Sequence, residues 1–262
     1  MVDSLKALDP NRPIREADIP TIATNVRFRT IADKAEFWGR DGLSASLQHV
    51  IICRIVALAA TGMINRAGNP VRLKDKIAIV VGAGQSPGEG MGNGRATVLR
   101  FVQEGAMVMA VDRDLASVEE TVAMARAHGP CVAFEADVTK EKMLAAMVAA
   151  AQEKFGRIDV LHYNVGLSIS GGDAPPTEIT EEAFDRIVAI NLRGCVMAVK
   201  HVLPVMRAQR TGVILTISSV AAYENYPYVA YKATKAGMIA FTQQVAIQNA
   251  EYGIRANCIC RD

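Results

Sequence analysis

Two tyrosine–lysine pairs stand four residues apart in the stretch SSVAAYENYPYVAYKATKAGM: Tyr228 with Lys232, and Tyr231 with Lys235. On a helix, each pair lies on one face. A phenol with an ordinary pKa of about 10 exchanges protons poorly at neutral pH unless a neighbouring ammonium stabilises its anion. The spacing therefore suits a tuned general acid/base. By itself, YxxxK more often marks ordinary surface neighbours, because so short a pattern recurs by chance. The pattern alone does not choose between the pairs.

A second chemical signal lies upstream. The stretch IAIVVGAGQSPGEGMGNGRATVLR, Ile77 to Arg100, places six glycines between an apolar run and a helical pattern. Ile77 to Val81 reads as a buried strand, and Arg95 to Gln103 as a helix ending at Gly105. Glycines let backbone N–H groups approach a pyrophosphate closely, and a helix N-terminus adds partial positive charge. The spacing GxGxxG is absent. The looser GxxxGxG occurs twice, as Gly84-Gly88-Gly90 and as Gly88-Gly92-Gly94. Phosphate binding needs one glycine where the strand ends and two where the helix begins. This selects Gly82, Gly92 and Gly94 and leaves the residues between as a pliable insertion. A flexible strand-to-helix connection is the plain alternative for this loop.

Strand and helix patterns then alternate. Strands are predicted over Met107–Val111, Val132–Ala136, Ile158–His162, Val213–Ile217 and Arg255–Cys260. Helices are predicted over Ser117–Ala127 and over Lys140–Phe155 after Thr139 as N-cap. Two more follow: a long one from near Thr180, with Glu181 and Glu182 in its first turn, and Tyr228–Ala250. Such alternation with right-handed crossovers implies a doubly wound parallel sheet. Asp112 then follows the second strand, where a carboxylate accepts ribose hydroxyls and repels a 2′-phosphate; this favours NAD over NADP. Asp137 ends the third strand at the ligand-binding edge. Either Asp, alternatively, caps the next helix.

Composition sets the outer bounds. The chain has 262 residues, 50% hydrophobic and 5% aromatic, which suits an aliphatic α/β core. Net charge is +2, with 12 Lys/Arg against 8 Asp/Glu in residues 1–76 and 17 against 19 in the remainder. Neither part is basic enough to suggest nucleic acid. Five cysteines, at 53, 131, 195, 258 and 260, form no CxxC pair or zinc spacing, so reduced thiols in a cytoplasmic protein and no metal site are expected. Residues 1–72 read as an N-terminal extension. Its apolar run Val50 to Ile64 is 15 residues long and contains Arg54, short of the roughly 20 residues a membrane span requires, and is expected to form a peripheral helix.

Taken in order, these motifs resemble the short-chain dehydrogenase/reductase family in its single-domain branch. They are the glycine loop, DR after the second strand, ADV at Asp137, YNVG at 163–166, INLRG around Asn191, ISS at 217–219 and YKATKAG at 231–237. The resemblance covers about Leu73 to Asp262. It implies a Rossmann-like α/β domain over 73–262 and an oxidoreductase moving a hydride between NAD(H) and a small alcohol or ketone. It also selects Tyr231 and Lys235, leaving Tyr228 and Lys232 outside the pattern. Tyr231 would be the general acid in reduction and the base in oxidation; Lys235 would lower its pKa and hold the nicotinamide ribose. Ser219 would bond the reacting oxygen, with Ser218 the second candidate, and Asn191 would support a water-linked proton relay. The cofactor would lie on Gly82, Gly92, Gly94, Asp112, Asp137, Val138, Asn164, Gly166, Tyr231 and Lys235.

The chain departs from the family pattern at several points. About six extra residues lie between Gly82 and Gly92, Val81 replaces a threonine, and Tyr163 and Val165 replace Asn and Ala. Ser219 stands one residue closer to the tyrosine than usual. Arg261 and Asp262 stand where Pro-Gly is expected, so the resemblance implies a sheet lacking the final strand and substrate loop. A non-catalytic dinucleotide-binding protein, or an inactive truncated remnant, is the alternative function. The long helices from Thr180 and Tyr228 are expected to pair in a homodimer or homotetramer.

Overall fold

The computed structural model describes residues 72–261, apart from 87 and 89. The peripheral helix expected at Val50 to Ile64, with the rest of residues 1–71, lies outside the described residues. Six strands form one parallel sheet: β1 (Ile77–Val81), β2 (Met107–Asp112), β3 (Cys131–Glu135), β4 (Val160–Tyr163), β5 (Gly212–Ser219) and β6 (Ile254–Arg261). Their order is β3-β2-β1-β4-β5-β6, the doubly wound arrangement, with the switch point between β1 and β4.

The strand sequences explain why both faces are covered. All five residues of β1 are buried, and their alternation divides them between two cores. Ala78 and Val80 pack with Val98, Phe101, Val118 and Val122 from α1 (Asn93–Gln103) and α2 (Leu115–Ala125). Ile79 and Val81 pack on the other face with Leu144, Met147, Val199, Val202 and Met238. Those residues come from α3 (Glu141–Phe155), α5 (Gly194–Gln209) and α6 (Val229–Asn249).

Two local expectations are corrected. Thr139 does not cap α3; Lys140 stands at the N-cap, and the Thr139 hydroxyl donates to Asp137 Oδ1 at 2.7 Å. The long helix from Thr180 forms as one run but is not a regular α-helix throughout. It runs as α4 (Glu181–Val188), a π turn over Ala189–Arg193, then α5. Thr180 caps α4 through a bond from Ala183 N to its hydroxyl. The run Glu181–Gln209 is long and apolar enough to cross a membrane, but its buried stripe of Cys195, Ala198, Val199, Val202 and Met206 packs into the core on the sheet.

Candidate active site

The parallel strands deliver their carboxyl ends to one edge, and the predicted residues gather there. At the end of β1 the chain turns through Gly82, whose φ of 81° favours glycine, and Gly82 N and Ala83 N both donate to Val111 O. Gly94, in the first turn of α1, packs directly on that turn: a Cβ there would overlap the Gly82 carbonyl oxygen and lie 3.0 Å from Asn164 Nδ2. Asn164 fixes the same carbonyl by donating to it at 3.1 Å. Gly92 is the N-cap of α1, and its N–H donates to Gln85 Oε1 at 2.6 Å.

Gln85 is a residue the sequence pattern missed. Its amide nitrogen donates to Ser86 O and Gly90 O, and its backbone N–H to Ser117 Oγ, so one side chain closes the inserted loop. Gly84 was passed over too. Its N–H donates to Asp112 Oδ2 at 2.8 Å, and a Cβ would stand 2.9 Å from that oxygen. The other Asp112 oxygen accepts from Asp114 N at 3.2 Å.

Asp112 and Arg113 line a cleft of about 220 Å³ with Gly82, Asp137, Val138, Val165 and Ile190. Asp137 faces this cleft while holding its own turn, accepting from Thr139 N and Oγ1 on Oδ1, and it does not cap α3, whose N-cap is Lys140. Burial opposes the charged form of Asp137, but the Thr139 bonds and nearby Lys140 together keep its pKa below the ordinary carboxylate value.

Catalytic candidates converge at the ends of β4 and β5. Lys235 is 2% exposed, and its ammonium donates to Ile217 O at 2.7 Å and Val165 O at 3.5 Å. Burial pushes its pKa down to about 8. Gly166 leaves room for it: a Cβ there would lie 3.0 Å from Nζ. The ammonium stands 5.5 Å from the centre of the Tyr231 ring. Burial raises the Tyr231 pKa above its ordinary value, outweighing the opposing hydrogen bond from Ser219. The lowering by Lys235 is therefore not present in this geometry, because that ammonium is buried against carbonyls.

The two serines separate cleanly. Ser219 lies near enough to the Tyr231 phenol to lower its pKa and accepts from Ala221 N at 3.1 Å, whereas Ser218 points inward to Lys235 O at 2.8 Å. Asn191 lies in the π turn, fully buried, and spans two elements. It accepts from Leu167 N and donates to Leu167 O and to Thr234 Oγ1. Tyr163, at the family's Asn position, donates to Ile190 O at 2.7 Å, and Gly194 leaves the space its hydroxyl takes. The second tyrosine–lysine pair is elsewhere. Lys232 donates to the carbonyls of Ala221, Ala222 and Glu224, and Tyr228 packs edge-on against Tyr226.

With this geometry established, the comparisons place the chain. The sequence profile described as short chain dehydrogenase matches residues 76–261. The chain belongs to the short-chain dehydrogenase/reductase family. It is 37% identical over 191 residues to 2-(R)-hydroxypropyl-CoM dehydrogenase of Xanthobacter autotrophicus, covering 71% of this chain and 73% of that protein. It is 34% identical over 192 residues to levodione reductase of Leifsonia aquatica, covering 72% and 69%. Among solved structures, NAD+-bound xylitol dehydrogenase superposes with a TM-score of 0.66 at 31% identity, covering 71% of this chain and 70% of that one. Dehydrogenases and reductases of this family support an oxidoreductase role for the chain, and they do not favour the non-catalytic alternative.

Proposed function

We propose that this family member is an NAD-dependent oxidoreductase that interconverts a small alcohol and its ketone through Tyr231. One observation carries the reading: Tyr231 stands with its ring centre 5.5 Å from the ammonium of buried Lys235, beside buried Ser219 and on the same sheet edge as the cleft lined by Asp112. The residues present fit a dinucleotide. Gly94 lets the start of α1 pack directly on the Gly82 turn at the end of β1, the strand–turn–helix arrangement that holds a pyrophosphate, and Asp112 offers a carboxylate at the end of β2. Gly82, Gly92, Gly94, Asp112, Asp137, Val138, Asn164 and Gly166 would hold the cofactor, which when bound supplies or accepts the hydride.

The chain's own residues handle orientation and the proton. A phenol held above its ordinary pKa is protonated at neutral pH, so Tyr231 donates to a carbonyl oxygen in reduction and takes the proton back in oxidation. Ser219 orients that oxygen. Lys235 is held 5.5 Å from the Tyr231 ring centre by backbone carbonyls, and Asn191 ties the loop at Leu167 to Thr234 on the catalytic helix. Exposed Phe184 on α4 and Ile247 on α6 support pairing of these helices in a homodimer or homotetramer, which sedimentation tests. The unpaired thiols at 131, 195, 258 and 260 support a cytoplasmic setting.

The test is a fluorescence titration with NADH and NADPH, on the wild type and Asp112→Asn. NADH should bind more tightly to the wild type, and the variant should narrow the gap. Equal affinities, or tighter NADPH, would contradict the Asp112 assignment and shift weight to Arg113.

A further inference from the structure

The catalytic helix α6 begins without a cap of its own. Its N-cap residue, Tyr228, makes no side-chain bond to the first turn, and that turn holds no acidic residue. Two other helices cap themselves: Asp114 accepts from Ser117 N at the start of α2, and Thr180 from Ala183 N at the start of α4. The free N–H groups of α6 are instead taken by Asp173, a residue 6% exposed in the loop between β4 and α4.

The contacts are specific. Asp173 Oδ1 accepts from Ala230 N at 3.0 Å and Ala174 N at 3.1 Å. Oδ2 accepts from Tyr231 N at 2.8 Å and Ser168 Oγ at 3.2 Å. Val229 N adds a bond to Ala174 O, so the loop grips all of the first three residues of α6. Ser168 also meets the Tyr226 hydroxyl at 2.9 Å, and the Tyr226 ring lies 5.5 Å from that of Tyr231. The cap therefore falls on the backbone of the reacting residue itself.

We propose that Asp173 is a positioning residue for Tyr231, capping α6 from a loop 58 residues away and so fixing where the phenol stands on the sheet edge. The proposal rests on the assignment of Tyr231 as acid/base. A carboxylate is required because four donors converge on it and the helix N-terminus carries partial positive charge. The amide of Asn offers one acceptor oxygen and would turn its NH₂ toward N–H donors.

The experiment uses the full chain with no ligand. Amide hydrogen exchange is read at Ala230 and Tyr231, with Ala183 on α4 as the control, in the wild type, Asp173→Asn, and Asp173→Ala combined with Tyr228→Asp. In Asp173→Asn, which keeps the side chain's shape, both amides should exchange about tenfold faster, the scale of a lost helix cap, with Ala183 unchanged. The double variant should recover protection through a local cap. The phenol titration of Tyr231, taken as the ultraviolet difference from Tyr231→Phe, should shift by about half a pH unit or more in Asp173→Asn. Unchanged exchange would overturn the cap, and opened amides with an unmoved phenol titration would overturn the positioning role. Neither readout uses cofactor or substrate, so a failure here is distinct from failure of the NADH titration.

Discussion

Gly94 and Lys235 sit on opposite halves of one sheet edge and are constrained in opposite ways. On the β1–β3 half, what matters is missing side chains: Gly94 packs its backbone on the Gly82 carbonyl, and Gly84 on the Asp112 carboxylate. On the β4–β6 half, what matters is polar side chains held in place: Lys235 by two carbonyls, Asn191 by Leu167 and Thr234, Ser218 by Lys235 O. A cofactor site of backbone N–H groups needs close approach, whereas a proton-transfer site needs side chains fixed in direction. The two halves should therefore fail differently when mutated.

The largest effect is expected at Gly94. A methyl there must displace backbone, so Gly94→Ala should cost more than about 4 kcal/mol in urea unfolding and abolish NADH binding together with it. A variant that stays folded and still binds would contradict the close packing of α1 on β1.

At the seam between the halves, His162 on β4 tests how the sheet responds to acid. It is buried beside Phe101, neither ring nitrogen has a partner among the described residues, and burial pushes its pKa down to about 4 from 6.5. Between those values the unfolded chain takes up the proton and the folded chain does not, so stability falls as pH drops through 6.5 toward 4. The loss should reach about 3 kcal/mol, and His162→Leu should remove it. Denaturant midpoints across that range check the slope; an acid dependence unchanged in the variant would mean other groups carry it.

Much of this was legible in the sequence, for reasons that differ by region. Strand and helix positions came from apolar periodicity, because β1 buries every residue and the helices bury a stripe, and the doubly wound sheet came from their alternation. Tyr231 and Lys235 emerged from spacing joined to family resemblance. Gln85 and Asp173 did not, because their partners, Ser117 and Tyr231, lie 32 and 58 residues away and leave no local period. The π turn at Asn191 was hidden as well, since its residues continue an ordinary helical pattern.

Smaller effects sharpen the contrast. Lys232→Met removes three carbonyl contacts near Ala221 and should cost about 1 kcal/mol in a thermal melt while leaving NADH affinity unchanged. Gly88→Ala, where no atom lies within 4 Å of the added methyl, should show only the strain of its φ of 143°, about 1 kcal/mol or less. An effect at Gly88 as large as at Gly94 would mean the inserted loop is itself part of the site.

The most direct test of the central claim compares the two tyrosines. With NADH and a panel of small ketones, turnover is measured for the wild type, Tyr231→Phe and Tyr228→Phe. Tyr231→Phe should lose at least about a hundredfold in kcat, the scale of a missing general acid, while Tyr228→Phe stays near the wild type. Equal turnover in the wild type and Tyr231→Phe would contradict the account.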